Sequence, residues 1–337
     1  MRIAVVGAGA IGGYLAAKLA LAGHDTSLLA RGAQLEAIRR DGLTLVDHDG
    51  GAQHVRGLRA SDRLADLGPQ DLVLLALKAH QIATVAPGLA ALGADTPVVA
   101  MQNGIPWWYF QRCGGPHEGH VLQSADPGGL IAAHLPPERV IGCVAFKAAE
   151  VLRPGVVRHT VTANDKFPLG ELDGRSTARV LAASQALQEA GVAAPVVPDI
   201  RAEKWFKLLG NLAWNPICAL TQATVSEVGA IPEGRELCLA MMREGIAVAA
   251  SLGVTVRGSP ETRMKRADEV GAVRPSMLQD TQAGRPLEVD ALVGAVVELA
   301  RLTRTPVPVT EAVHACARLL SSVIEQRGVR IAPQPLG

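Results

Sequence analysis

Continuous apolar runs and helical stretches alternate through the first half of the chain. RIAVVG (2–7), DTSLLA (25–30), DLVLLAL (71–77) and PVVAMQ (97–102) are short apolar segments bounded by turn residues. Between them, Ile11–Ala22 and Gly32–Arg40 carry helical spacing. Apolar strands without polar alternation, separated by helices, predict a parallel sheet covered on both faces. Two later strands, Val140–Phe146 and Val156–Thr162, are expected to extend that sheet antiparallel, and a helix over Arg175–Ala190 and a strand at APVVP (194–198) to close this half. From about Asp199 strand signals stop. Helices are predicted over Arg201–Leu220, Glu233–Leu252, Val289–Thr303 and Val309–Glu325, and the tail RIAPQPLG reads as disordered or loosely docked. A chain of 337 residues exceeds the usual size of one domain. The pattern therefore divides into an α/β domain over 1–198 and an all-α domain over 199–337.

The turn after the first strand is GAGAIG, Gly7 to Gly12, with Ala8, Ala10 and Ile11 between Gly7, Gly9 and Gly12. It follows a strand and opens a helix, the context of a dinucleotide-binding fingerprint. The first glycine makes the turn, the second admits the pyrophosphate to the backbone, and the third lets helix pack on strand. The first domain is thus expected to be a Rossmann-type, doubly wound sheet. About 20 residues on, NAD-binding folds place an acid to hold the ribose hydroxyls. This chain has LLARG instead, with Arg31 and no acid beside it. A guanidinium suits a 2′-phosphate, so NADP(H) is preferred over NAD(H); a solvated surface arginine is the plainer alternative. Lys78 in LKAHQ and Asn103 in QNG each follow an apolar strand, at the carboxyl ends where open α/β sheets bind ligands. Lys78 could equally be a solvated loop residue, and Asn103 with Gly104 could be no more than a type I′ turn.

In the second half, KLLGNLAWN places Lys207, Asn211 and Asn215 at steps of four. At about 100° per residue they stay within roughly 80° of one another on one helix face. Either this is a solvent-facing stripe or it lines a ligand site; Leu208, Leu209, Leu212, Trp214 and Ile217 leave little exposed face. A second polar element, SMLQDTQAGRPLEVD, carries Ser276 and Glu288 around the loop Gly284–Arg285–Pro286, between two helical stretches.

Composition narrows the partners. A net charge of +1 with basic residues spread along the chain gives no electrostatic case for nucleic acid or an anionic membrane. No stretch reaches the ~18 apolar residues of a membrane span, and the N-terminus lacks a signal peptide's cleavage region. Five scattered cysteines read as reduced thiols rather than a disulfide framework, no cluster has metal-ligand spacing, and a cytoplasmic location is expected.

The order GAGAIG, LKAHQ, QNG, KLLGNLAWN, SMLQD…GRPLEVD resembles the ketopantoate reductases (2-dehydropantoate 2-reductases) over nearly the whole chain, and the last two motifs are far more specific than the glycine turn. The resemblance implies a Rossmann domain followed by a helical domain, with the substrate in a cleft. It implies NADP contacts at Gly7, Gly9, Gly12, Arg31, Lys78, Gln81, Asn103 and Glu288, and a backbone contact at Ala149. It implies substrate contacts at Asn103, Lys207, Asn211, Asn215 and Ser276. The implied reaction is reduction of a small-molecule 2-oxo acid by NADPH, with Lys207 stabilising the carbonyl oxygen and donating its proton. Asn211 and Asn215 would orient the substrate or the lysine, Ser276 and Asn103 would hold the carboxylate or distal hydroxyl, and Glu288 the nicotinamide ribose. A lysine at its ordinary pKa of about 10.4 is already a charged donor at neutral pH. No asparagine follows Asn215, although some members of the family carry one soon after the lysine helix. The quartet Trp107–Phe110 reads as a buried aromatic patch or a subunit contact, or else reshapes the substrate pocket; a homodimer stays open. A reductase of another 2-oxo acid and a non-catalytic NADP-binding sensor are the alternatives. A β-hydroxyacid dehydrogenase also pairs such domains with a lysine, but differs in the sequence around it.

Overall fold

The computed structural model describes residues 1–162 and 164–334. Two compact units form: residues 1–121 with 126–200, and residues 122–125 with 201–337.

The first unit is built on a seven-stranded sheet. Its strands, in chain order, are β1 (Arg2–Val6), β2 (Asp25–Leu29), β5 (Arg59–Ser61), β6 (Leu72–Leu75), β7 (Val98–Ala100), β8 (Val140–Cys143) and β11 (Leu169–Glu171). The spatial order is β5-β2-β1-β6-β7-β8-β11, and every pairing is parallel except β11 on β8. This is the doubly wound order, with its reversal between β1 and β6. Both sheet faces are covered: Ile3 and Val5 lie in one core cluster, Ala4 and Val6 in the other, all fully buried. That is why the strands read as unbroken apolar runs.

A second, four-stranded sheet departs from expectation. It consists of β4 (Ala52–Val55), β3 (Leu43–Val46), β10 (Val156–Thr160) and β9 (Ala148–Arg153), in that order. The strand expected over Val156–Thr162 therefore does not extend the main sheet. It pairs parallel with β3 and antiparallel with β9, while β11 takes the antiparallel place on β8. Val140–Phe146 joins the main sheet, but parallel to β7 rather than antiparallel. The APVVP segment forms no strand; Val196 makes only an isolated bridge to Leu169. The helix Ala10–Leu21 contacts strands of both sheets, so it is apolar nearly all round. A Cβ on Gly13 would stand 2.7 Å from Val157 Cγ2 of β10. Tyr14 on the same helix is buried, and burial together with Asp165 and Asp47 pushes its phenol up to about 12.

The aromatic quartet is buried within the first unit: Trp107, Trp108, Tyr109 and Phe110 are each under 5% exposed in the single chain. Trp107 and Trp108 belong to one core cluster, and Trp108 lies so close to Gly142 of β8 that a Cβ there would meet its Cη2 at 2.8 Å. No subunit contact is needed to bury these rings.

The described residues of the second unit contain helices and no strand. The main ones are Ile200–Thr221, Pro232–Ser251, Pro260–Val270, Ser276–Ala283, Ala295–Thr303 and Pro308–Arg327. A π-helical turn, Asp290–Gly294, opens the segment expected as one helix from Val289. Long-range carboxylates fasten the unit. Glu244 accepts from the Val309 and Thr310 N–H groups and caps Pro308–Arg327; Glu298 accepts from the Gln123 and Ser124 N–H groups and ties in residues 122–125. Burial pushes the Cys218 and Cys238 thiols up to about 12. Among the described residues no helix is long and apolar enough to cross a membrane. In the tail, the Ile331 N–H donates to the Thr281 carbonyl at 3.1 Å; residues 335–337 lie outside the described residues.

Candidate active site

In the first unit the expected cofactor residues gather at the carboxyl ends of the parallel strands. The three turn glycines have three distinct environments. Gly7 has φ +112°, and a Cβ would press on Leu77 at 2.9 Å. Gly12 faces the turn itself: its Cβ would fall 1.8 Å from the Gly7 carbonyl oxygen. Gly9 is open, with nothing within 4 Å of a Cβ, and it is the N-cap of the helix Ala10–Leu21. The backbone is thus bare on one side and crowded on the other, which fits a phosphate approaching the helix N-terminus. Gln34 braces the turn, donating to the Ala8 carbonyl at 2.9 Å and accepting from the Gly155 N–H at 3.0 Å. No sequence signal singled out Gln34.

Arg31 follows β2 in extended conformation, exposed, as N-cap of the helix Gly32–Asp41. Its side chain makes no hydrogen bond or ion pair among the described residues. Lys78 and Gln81 follow β6. The Gln81 side-chain oxygen accepts from the Lys78 N–H at 3.3 Å, and the Gln81 N–H donates to the Lys78 carbonyl at 2.9 Å. Gln102, buried, fixes the same segment by donating to the Leu75 and Leu77 carbonyls at 2.7 and 3.3 Å. Its place beside Asn103 in QNG was legible, but its bracing role was not. Asn103 is half-buried after β7, and only Gly104 of the pair has positive φ. A type I′ turn needs positive φ at both residues, so that alternative is excluded. Ala149 stands apart from these strand ends, on edge strand β9 of the second sheet, opposite His159.

In the second unit the helix Ile200–Thr221 carries Lys207, Asn211 and Asn215. Lys207 and Asn211 are half-buried and Asn215 is buried, so the line is not a solvated stripe. Asn215 Oδ1 accepts from Ser276 Oγ at 3.1 Å and from the Met277 N–H at 3.0 Å. It caps the first turn of the helix Ser276–Ala283 and joins the two polar elements of the sequence. The Asn211 amide has no hydrogen bond among the described residues. Glu288 is buried just before the π-helical turn, with its carbonyl accepting from Leu292. Lys207, Asn211, Asn215 and Ser276 therefore form one constellation: a cation, a carboxamide that no described residue engages, and a locked Asn–Ser pair. Substituting Asn215 with alanine leaves the Met277 N–H buried without its acceptor. Loss of about 1–3 kcal/mol is expected, read by urea denaturation, while Asn215→Asp, which keeps an acceptor oxygen, should lose less.

Residues 3–107 match the ketopantoate reductase PanE/ApbA family, and residues 199–321 match its C-terminal domain. The 2-dehydropantoate 2-reductase of Mesorhizobium japonicum is 48% identical over 95% of this chain and 98% of its own. The chain belongs to the ketopantoate reductase family. Among solved structures, a Ralstonia solanacearum protein assigned to ketopantoate reductase superposes with a TM-score of 0.90 at 39% identity, over 97% of this chain and 99% of that one. The 2-dehydropantoate 2-reductase of Geobacter metallireducens gives 0.82 at 28% identity, over 95% and 99%. Of the expected site residues, Gly7 to Asn103 fall in the first match and Lys207 to Glu288 in the second, while Ala149 lies between them.

Proposed function

We propose that this protein is an NADPH-dependent 2-dehydropantoate 2-reductase, reducing ketopantoate to pantoate for pantothenate biosynthesis. The observation that carries the proposal is the constellation on the helix Ile200–Thr221: Lys207 and Asn211 on one half-buried face, with Asn215 holding Ser276. A sensor of NADP needs the glycine turn but not this set. The cofactor fits the first unit. Gly9 leaves the turn open for the pyrophosphate and Arg31 offers a guanidinium that no described residue engages. Lys78, Gln81 and Asn103 stand at the neighbouring strand ends, Ala149 offers its backbone, and Glu288 is assigned to the nicotinamide ribose.

Bound NADPH supplies the hydride that reduces the ketone carbon. The Lys207 ammonium stabilises negative charge growing on the carbonyl oxygen and gives that oxygen its proton. The Asn211 amide orients the substrate. Ser276 donates its hydroxyl hydrogen to Asn215, which leaves its oxygen lone pairs to accept from a substrate hydroxyl. Hydride at carbon and the Lys207 proton at oxygen would give the alcohol, and Lys207 would be reprotonated from solvent.

The test is loss of NADPH absorbance with ketopantoate beside a panel of other 2-oxo acids. Preferred turnover of ketopantoate is expected; preference for a different acid would keep the chemistry and remove the substrate assignment. Arg31→Ala is expected to raise KM for NADPH by about tenfold or more while leaving NADH unchanged, from loss of a charge-assisted contact to the 2′-phosphate. A homodimer is our proposal for the assembly, to be read by sedimentation.

A further inference from the structure

The reading of Arg31 as a 2′-phosphate ligand leaves its neighbour across the sheet unassigned. Strands β2 and β5 are parallel and in register, with Leu29 opposite Ser61, and the ladder continues one step as the Ala30 N–H donates to the Ser61 carbonyl at 2.9 Å. Arg31 lies two residues beyond Leu29, and Arg63 two residues beyond Ser61. Both backbones are still extended there, at φ −137°, ψ 158° for Arg31 and φ −118°, ψ 126° for Arg63. Each arginine is the last residue before a helical turn: Gly32–Asp41 in one case, Leu64–Leu67 in the other. Neighbouring strands run about 4.8 Å apart, so two guanidinium stems leave adjacent points on the same sheet end. Arg63 is exposed, and its side chain, like that of Arg31, makes no hydrogen bond or ion pair among the described residues.

The surroundings explain why these two groups are available. Asp66, the carboxylate of the short helical turn, accepts from Ser61 Oγ at 2.7 Å, and Ser61 Oγ in turn accepts from the Arg63 N–H at 3.2 Å. That network fixes the Arg63 backbone without using its guanidinium. Arg39 donates to the Ala60 carbonyl and Arg59 to the Leu67 carbonyl, so these two neighbouring guanidinium groups are engaged. Asp62 is the remaining carboxylate of the segment, exposed and bonded to no described residue. Two like charges side by side repel, which makes the pair a receptor for a dianion rather than a structural contact.

We infer that Arg63 is a second arm of the adenosine 2′-phosphate site, closing on the phosphate opposite Arg31 and setting the preference for NADP(H) over NAD(H). The inference rests on the NADP reading of Arg31. Its ligand class is a ribose 2′-phosphomonoester.

Adenosine 2′,5′-bisphosphate and 5′-AMP, titrated calorimetrically into the full chain, separate the two ideas without any turnover. Wild type should bind the bisphosphate more tightly than 5′-AMP. Arg63→Ala should weaken the bisphosphate by about tenfold, leave 5′-AMP unchanged, and flatten the salt dependence of bisphosphate binding. Arg63→Lys should recover part of the loss. If Arg63→Ala binds the bisphosphate as wild type does while Arg31→Ala does not, the inference about Arg63 is overturned and the NADP reading stands. If wild type fails to distinguish the two nucleotides, the NADP reading falls and takes Arg63 with it. Arg63 is exposed, so an unchanged melting temperature is expected for each variant and confirms that binding alone has moved.

Discussion

Lys207→Ala should lower kcat for ketopantoate by about a hundredfold to ten-thousandfold, the range for removing a general acid in the transition state. The helix should survive. Lys207 sits inside the 22-residue helix Ile200–Thr221, and alanine is the strongest helix former. Melting temperature is therefore expected to hold while turnover collapses. NADPH affinity should also hold, because the lysine is assigned to the substrate. Lys207→Arg keeps the charge but broadens it over a planar fork, so it should retain ground-state binding better than turnover. Equal loss of kcat and of NADPH binding in Lys207→Ala would place the lysine on the cofactor and overturn the assignment.

The second large effect is expected at the glycine turn, and it separates folding from binding. In Gly12→Ala the new Cβ meets the Gly7 carbonyl oxygen at 1.8 Å and the Ala76 Cβ at 3.1 Å. The first obstacle is backbone, so the turn must open. A stability loss of about 1–3 kcal/mol or more is expected, with NADPH binding lost alongside. Gly9→Ala meets nothing within 4 Å. Its φ of −73° is ordinary for alanine, so stability should stay within about 0.5 kcal/mol of wild type. The methyl group would nonetheless stand where the pyrophosphate must come, and NADPH affinity should fall by about tenfold or more. Thermal denaturation beside fluorescence titration of NADPH reads both. A Gly9→Ala protein with full NADPH affinity would move the phosphates elsewhere.

The parts of the fold that were legible share one cause. The main sheet is covered on both faces, so its strands announce themselves as apolar runs, and the long helices repeat with their own period. The second sheet was hidden because its strands lack that signature. β4 is exposed except at Val55, and β9 is mostly exposed, an edge strand with Glu150 and Arg153 in it. β10 does alternate, but nothing local says which sheet it will join. Its partners are β3 and β9, more distant in sequence than any local pattern reaches or carrying no apolar signature of their own, and Val157 lies close over Gly13. The site divides in the same way. Local motifs pointed to the glycine turn and the Lys207 line. The role of Asn215 was not legible, because its partners Ser276 and Met277 are some 60 residues away. The bracing roles of Gln34 and Gln102 were not legible because each acts on backbone groups, which leave no mark on the sequence.

The helix Ala10–Leu21 has a bearing on how the chain must be made. It leaves the ribosome early, with Tyr14, Leu15, Ala16, Ala17 and Leu19 all destined for burial. Its first cover, the parallel strands, follows soon after. Its other cover includes β9 and β10, which are synthesised only after the first unit has almost emerged. Until then a greasy helical flank stays open to solvent or the growing chain's neighbours. A nascent protein whose β9 and β10 are still inside the ribosome should therefore be a client for holding chaperones, and one stalled with both strands clear of it should release them.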